Sequence, residues 1–189
     1  MKPNTRRSPR EVIESVDQPE LEEAWYKFPR QEMVACSINR ERDSVRWKVH
    51  QKGRKYMHIH THPGGSRLSI YPSSRDLDSF LLDKMRSMVI AKTSPKTGKL
   101  ESYFVVRKKK FVPQSSSLLP RQYEELLMNR MYEGIDDSSF AESLDVLFRK
   151  YDLQWRYVPV AEGKNAFDSR AQYQTDLADK LKTEYRMAA

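Results

Sequence analysis

Cysteine is almost absent from this chain of 189 residues, in which Cys36 stands alone. A single thiol forms no internal disulfide, so we expect a protein of a reducing compartment, the cytoplasm. Cys36 lies in an apolar run, which favours a small core residue over a nucleophile. Long apolar runs are also missing. None approaches the roughly 20 residues of a membrane-spanning helix, and no apolar segment follows the basic N-terminus as in a secretory signal. We therefore expect no membrane partner.

Negative charge is the scarcer sign, because 34 lysines and arginines face 26 acidic residues, which gives a net charge of +8. The basic residues gather near the N-terminus, over 40–55 and over 107–110. Such a balance permits binding to nucleic acid or to another acidic partner. Acidic residues are interleaved almost everywhere, however, so a solvated surface is the favoured interpretation.

The composition supports one globular domain, since 38% of the residues are hydrophobic and 11% are aromatic. Residues 1–17 carry few apolar groups and are predicted to form a flexible basic tail. Residues 18–160 are predicted to form the domain, and residues 161–189 a C-terminal helical extension. The mixture of strand and helix patterns predicts an α/β fold in which helices flank a mixed β-sheet.

Hydrophobic periodicity predicts the elements of this domain. Helices are expected over Leu21–Phe28, from Ser73 to a buried face that includes Met85 and Met88, from near Pro120, and after Ser138. Strands are expected over Met33–Ile38, Val45–Val49, Tyr56–His62, Val89–Thr93, Leu100–Val106 and Leu153–Val158.

The four histidines all lie between His50 and His62. His58, His60 and His62 alternate, so in a strand their imidazoles project from the same face. Two imidazoles on a rigid strand, a third ligand from elsewhere and a water molecule make an open catalytic zinc site. A polar strand face with ordinary hydrogen-bonded histidines is the competing interpretation.

A second motif follows the histidines after Pro63 and a loop. Ser73 stands three residues before Asp76, which is the spacing of a helix-capping box. The same geometry would direct the Asp76 carboxylate from the first helical turn towards a metal ion held by the strand. A carboxylate oxygen is a suitable zinc ligand beside two imidazoles.

Together, His60-Thr61-His62-Pro63 and Ser73-Ser74-Arg75-Asp76 resemble the H-x-H-P and S-x-x-D signature of the JAMM (MPN+/JAB domain) metalloproteases. The resemblance covers roughly residues 19–112. It implies a single-domain JAB/MPN-like fold and a Zn²⁺ ion bound by His60, His62 and Asp76. The loop between the two motifs is a few residues longer here than is usual in the family.

The resemblance also implies catalytic roles. Glu32, before the predicted first strand, matches the family's general base, with Glu22 and Glu23 as the alternatives. Unlike the family, this chain has no glycines after Glu32. Ser73 would donate its hydroxyl to the developing oxyanion. His58 is expected to be a packed, hydrogen-bonded histidine, with a supporting contact to the metal ligands as the alternative.

The substrate implied by the family is the amide or isopeptide bond after the C-terminal tail of a ubiquitin-like protein. Two alternatives remain open, a catalytically inactive scaffold of the same fold and a basic nucleic-acid-binding protein. A phosphoesterase of the PHP type, whose first motif also contains H-x-H, is excluded because it needs further histidines and none follows His62.

Overall fold

The computed structural model of the protein describes residues 7–49, 55–64, 70–82, 84–109, 118–133 and 137–160. These residues form a mixed α/β structure. The helices are α1 (Pro9–Glu14), α2 (Ser74–Leu82), α3 (Leu118–Glu133) and α4 (Asp137–Lys150). The strands are β1 (Ala24–Lys27), β2 (Met33–Ala35), β3 (Ser37–Arg40), β4 (Val45–Trp47), β5 (Tyr56–Pro63), β6 (Met85–Thr93), β7 (Leu100–Lys108) and β8 (Leu153–Pro159).

Six strands form one mixed sheet in the order β2-β1-β5-β6-β7-β8, and β3 pairs with β4 in a separate two-stranded sheet. All neighbours in the large sheet are antiparallel except β5 and β6. A parallel pair needs a crossover connection, and α2 lies in the connection from β5 to β6. This crossover brings the start of α2 towards the end of β5.

Apolar residues cover both faces of the large sheet, as a mixed sheet flanked by helices requires. The larger cluster packs α2, α3 and α4 against one face, with Phe80, Tyr123 and Phe148 fully buried. The smaller cluster packs Ile13 of α1 against the other face. Strand β5 divides its side chains between the two clusters, as the alternation predicted: Ile59 joins the smaller and Tyr56 the larger.

The predicted helix over Leu21–Phe28 is wrong, because this segment contains strand β1. Trp25 and Tyr26 are both buried, and they belong to the clusters on opposite faces of the sheet. Aromatic side chains suit this alternating, two-sided burial better than they suit a helix. The register sets Ala24 opposite His60 of β5.

The predicted flexible tail contains helix α1. Ser8 caps the helix, and the Glu11 side chain accepts a hydrogen bond from the Ser8 backbone, so that both halves of a capping box are present. Ile13 is buried under the sheet, and the Glu14 carboxylate accepts the Leu100 N–H. Burial of Ile13, packing of Val12 and the two capping contacts thus order a segment whose composition predicted a flexible tail.

Two further boundaries differ from the prediction. Helix α2 ends at Leu82, and Met85 and Met88 belong to β6. A strand buried on both faces has a nearly continuous apolar run, which helical spacing also fits. The strand predicted over Met33–Ile38 is divided into β2 and β3 around the buried Cys36.

The other predicted elements are confirmed. They are the two helices α3 and α4 and five strands: the strand around Trp47, the strand that holds the three histidines, and those predicted over Val89–Thr93, Leu100–Val106 and Leu153–Val158. The predicted C-terminal extension, residues 161–189, lies outside the described residues, as do residues 65–69 of the loop after β5. None of the helices described is long and apolar enough to cross a membrane.

Candidate metal centre

Strand β5 holds three of the histidines in a rigid position within the sheet. Its neighbours are β1 and β6, and His60 is paired with Ala24 on one side and Ile90 on the other. The ring centroids of His58 and His60 are 5.1 Å apart, and those of His60 and His62 are 4.9 Å apart. The three imidazoles therefore form one row on one face, as their alternation predicted. His50 lies outside the described residues.

Asp76 reaches the end of this row from the first turn of α2. Its N–H donates to Ser73 Oγ at 3.1 Å, while the N–H and the hydroxyl of Ser73 donate to Asp76 Oδ2 at 2.7 and 2.8 Å. Just before Ser73, the Pro72 carbonyl accepts the hydroxyl of the buried Tyr123 at 2.9 Å. The capping interaction and the orientation of Asp76 towards the histidines are thus present together.

The potential ligand atoms of His60, His62 and Asp76 converge. His60 Nε2 lies 3.1 Å from His62 Nε2 and 3.3 Å from Asp76 Oδ1. His62 Nε2 lies 3.5 Å from Asp76 Oδ2. One ligand atom from each residue can be chosen so that all lie within 4.8 Å of one another. These three side chains form a group that is close enough to share one metal ion.

The electrostatics of the group suit a cation. Burial lowers the pKa of His60 below its ordinary value, although the nearby Asp76 opposes this, so its imidazole is neutral and has a lone pair to offer. Burial alone would raise the pKa of Asp76. His60 and His62 outweigh that effect and hold the pKa of Asp76 well below its ordinary value. The group thus places the buried His60 imidazole beside an ionised Asp76 carboxylate.

Glu22 lies beside the group, with Oε1 3.7 Å from His62 Nε2. Two backbone contacts fix its position: its own N–H donates to the Glu41 carbonyl at 2.7 Å, and the N–H of Thr61 donates to the next carbonyl, that of Glu23, at 2.9 Å. Burial raises the pKa of Glu22 to about 8, and Asp76 adds to the shift while His62 opposes it. A buried carboxyl with such a pKa is typical of functional sites.

Glu23, the other alternative, is already engaged. Its carboxylate accepts the Ser37 hydroxyl and forms an ion pair with Arg40, whose Nε lies 3.0 Å from Glu23 Oε2. Its N–H donates to Thr61 Oγ1 at 2.8 Å. Glu23 thus links the start of β1 to β3 and β5.

Glu32 is not brought to the group. It is exposed, precedes β2, and lines a surface pocket of about 220 Å³ with Lys27 and Arg30. Strand β1 runs antiparallel to β5, with Ala24 opposite His60 and Lys27 opposite Met57, and Glu32 follows the Lys27 end. Glu22 precedes the other end, which is the end near His60. The predicted helix over Leu21–Phe28 hid this position of Glu22. Glu22 is seen to lie next to β5 only once Ala24 belongs to a strand that pairs with β5.

His58 differs from the expectation of a hydrogen-bonded histidine. It is fully buried, and burial lowers its pKa well below the ordinary value, so the ring is neutral. Its ring stacks on Trp47 at a centroid distance of 4.3 Å. Within the described part of the chain, neither ring nitrogen of His58 has a hydrogen-bond partner, and the same is true of His60 Nδ1.

Comparison with known proteins adds no relative. No family model, no curated protein and no solved structure matches this chain.

Proposed function

We propose that this protein is a zinc-dependent hydrolase of the JAMM type, which cleaves an amide or isopeptide bond. The observation that carries the proposal is the convergence of His60, His62 and Asp76, with separations of 3.1–3.5 Å between potential ligand atoms. Zinc bonds of about 2.0–2.1 Å in a tetrahedron place neighbouring ligand atoms roughly 3.3 Å apart. The two histidine nitrogens are close to that spacing, and each lies within 3.5 Å of one of the two Asp76 oxygens.

The donor set also favours zinc and a catalytic site. Two imidazoles and one carboxylate are common zinc ligands, and three protein ligands leave the fourth position for water or substrate. A zinc ion bound there would supply Lewis acidity and would lower the pKa of a water ligand towards about 7.

We assign the role of general base to Glu22 in place of Glu32. Glu22 is close to the ligand atoms without belonging to the convergent group, and its burial shields proton transfer from bulk solvent. In this role its carboxylate accepts a proton from the attacking water and then donates it to the leaving amine. Its raised pKa favours holding the proton between these two steps, and positive charge from a bound ion would moderate the shift.

Ser73 orients Asp76 and remains the proposed donor to the oxyanion. Its hydroxyl and its N–H both donate to Asp76 Oδ2. When the hydroxyl rotates towards a substrate oxygen, the carboxylate therefore keeps the backbone hydrogen bond. A hydroxyl aimed at the developing charge stabilises the transition state more than the ground state.

The proposed substrate is the bond after the C-terminal tail of a ubiquitin-like protein, within a JAB/MPN-like fold. The support is the resemblance of the two motifs, whose histidines and aspartate also converge in space. An extended tail can bind by adding a strand to a sheet edge, which suits this class of substrate.

The test is cleavage of a panel of ubiquitin-like proteins with C-terminal extensions, followed by mass spectrometry. We expect the zinc-loaded protein to cut at least one of them at the end of its tail, and a chelator to stop the reaction. Zinc binding without cleavage of any candidate would favour the inactive scaffold. A tight, selective complex with nucleic acid would favour the alternative of a basic nucleic-acid-binding protein.

A further inference from the structure

His58 and His60 form a buried pair of imidazoles, and most of their ring nitrogens make no hydrogen bond within the described residues. Both side chains are fully buried, and three of their four ring nitrogens have no partner within the described ranges. Leaving a buried polar group without a partner is unfavourable, because its hydrogen bonds to water are lost on burial. An adjacent pair of such groups therefore needs a physical explanation.

Metal binding by His60 would create the need for a hydrogen-bond acceptor at its other ring nitrogen, Nδ1. The ligand atom is Nε2, which faces His62 and Asp76. A neutral imidazole that offers the lone pair of Nε2 carries its proton on Nδ1, and this N–H needs an acceptor. Histidine ligands almost always donate that N–H to a neighbouring group, which fixes the tautomer and the direction of the ring.

His58 is the neighbour that can supply the acceptor. Both of its ring nitrogens are buried without a partner in the described part of the chain, and a neutral imidazole has one nitrogen with a free lone pair. The ring centroids of His58 and His60 are 5.1 Å apart with an interplanar angle of 42°. Two imidazoles joined by an N–H···N hydrogen bond of about 2.9 Å have centroids roughly 5 Å apart. The separation suits the bond, and a turn of the His58 ring about its Cβ–Cγ axis exchanges its nitrogen and carbon positions, while Nε2 of His60 stays close to His62 and Asp76.

Trp47 holds the pair in place. Its ring lies 4.3 Å from His58 and 6.1 Å from His60 between centroids, nearly parallel to His60 at 15°. Trp47 belongs to β4, and the turn between β3 and β4 includes Glu41, whose carbonyl accepts the Glu22 N–H. The same hairpin therefore contacts both the histidine row and the proposed base.

We propose that His58 is a positioning residue of the metal centre, which accepts a hydrogen bond from Nδ1–H of His60 and so presents Nε2 of His60 to the ion. This inference rests on the proposed function, because it concerns the same zinc site. It gives a role to a histidine that the ligand group does not include.

The experiment compares two substitutions of similar size. His58→Gln keeps a strong acceptor in the side chain, whereas His58→Met leaves only a thioether sulfur, which accepts weakly. Zinc affinity is measured by competition with a chromophoric chelator, and folding by thermal unfolding of the metal-free proteins. We expect His58→Met to bind zinc about 10- to 100-fold more weakly than the wild type, and His58→Gln to recover most of that loss.

His58→Phe provides a second test that keeps an aromatic ring against Trp47. Tyr151→Phe removes a hydroxyl that donates to Gln122 Oε1 at 2.8 Å, and it controls for loss of a polar group elsewhere. We expect His58→Phe to weaken zinc binding like His58→Met, with no loss of metal-free stability, and Tyr151→Phe to leave zinc affinity unchanged. In the zinc-loaded wild type, nitrogen NMR should detect a solvent-protected Nδ1–H on His60, and this signal should disappear in His58→Phe.

Equal zinc affinity in wild type and in the Met and Phe variants would overturn the positioning role while leaving the zinc site intact. An equal loss in the Gln and Met variants would overturn it too, since it would indicate packing alone. A wild type that binds no zinc would overturn the proposed function itself and this inference with it.

Discussion

Glu22 Oε1 lies 3.7 Å from His62 Nε2, although the two residues come from distant parts of the chain. The antiparallel pairing of β1 with β5 produces this approach, because Thr61 hydrogen-bonds to both the N–H and the carbonyl of Glu23. The side chain of Glu22 then lies next to the histidine row. This contact places a buried carboxyl beside a group that is close enough to share one metal ion.

Metal content tests the ligand assignment directly. We expect about one zinc per chain in the wild type, as a single site of this donor set would bind. His62→Ala and Asp76→Ala each remove one ligand and should release the ion, as measured by elemental analysis after gel filtration. Glu32→Gln is the matched control and should keep its zinc. Unchanged zinc in both ligand variants would refute the site.

The choice of base is tested by a pair of glutamine variants. Glu22→Gln keeps the shape of the side chain but cannot accept a proton, so the rate of cleavage should fall by about 10²- to 10⁴-fold with zinc retained. Glu32→Gln should cut as fast as the wild type, because Glu32 is exposed and outside the group. The reverse pattern in the same kinetic assay would restore Glu32 as the base.

In the metal-free protein, the pH dependence of the free energy of unfolding should reveal the burial of Glu22. Its pKa is about 8 in the folded state against an ordinary value of 4.5, so the folded state keeps a proton that the unfolded state loses. The contribution of Glu22 to stability therefore falls as pH rises from about 4.5 to about 8. With a chelator present, Glu22→Gln should be more stable than wild type at pH 8, by an amount on the order of a few kcal/mol, and little different at pH 4.5. A constant difference in urea unfolding across this pH range would contradict the assignment.

Ser73 should affect both the free energy of unfolding and the affinity for zinc. Ser73→Ala removes the cap of α2 and one hydrogen bond to Asp76 Oδ2, so unfolding should become easier by about 0.5–2 kcal/mol. Zinc affinity should also fall, because Asp76 loses part of its orientation. Ser74→Ala is the control, since the next serine makes neither contact with Asp76, and it should change zinc affinity little. Equal zinc affinity in both variants would limit Ser73 to its capping role.

The parts of the site that are local in sequence could be predicted from it. Alternation along β5 places the histidines on one face, and the spacing from Ser73 to Asp76 defines a helix start, so both were predictable without tertiary contacts. Glu22 was not, because its position depends on the register between β1 and β5. Trp25 and Tyr26 are compatible with a helix until the two faces of the sheet are known.

The same limit explains the differences in the fold. Met85 and Met88 fit helical spacing, and only the burial of β6 on both faces shows that they belong to a strand. Ile13 orders α1 by contact with a sheet formed mostly by later residues. Such long-range packing overrides local composition.

The crossover between the parallel strands β5 and β6 also has a consequence for the order of folding. Strand β5 and the crossover that follows it contain all three proposed ligands within one strand–loop–helix segment, whereas Glu22 joins through pairing of greater sequence separation. Contacts of short sequence separation cost less loop entropy, so the ligand group can assemble before β1 docks. Amide hydrogen exchange of the zinc-loaded protein should then show β1 opening more readily than β5. Such an opening would move Glu22 away from the ligand group and stop the proposed reaction while the ion stays bound.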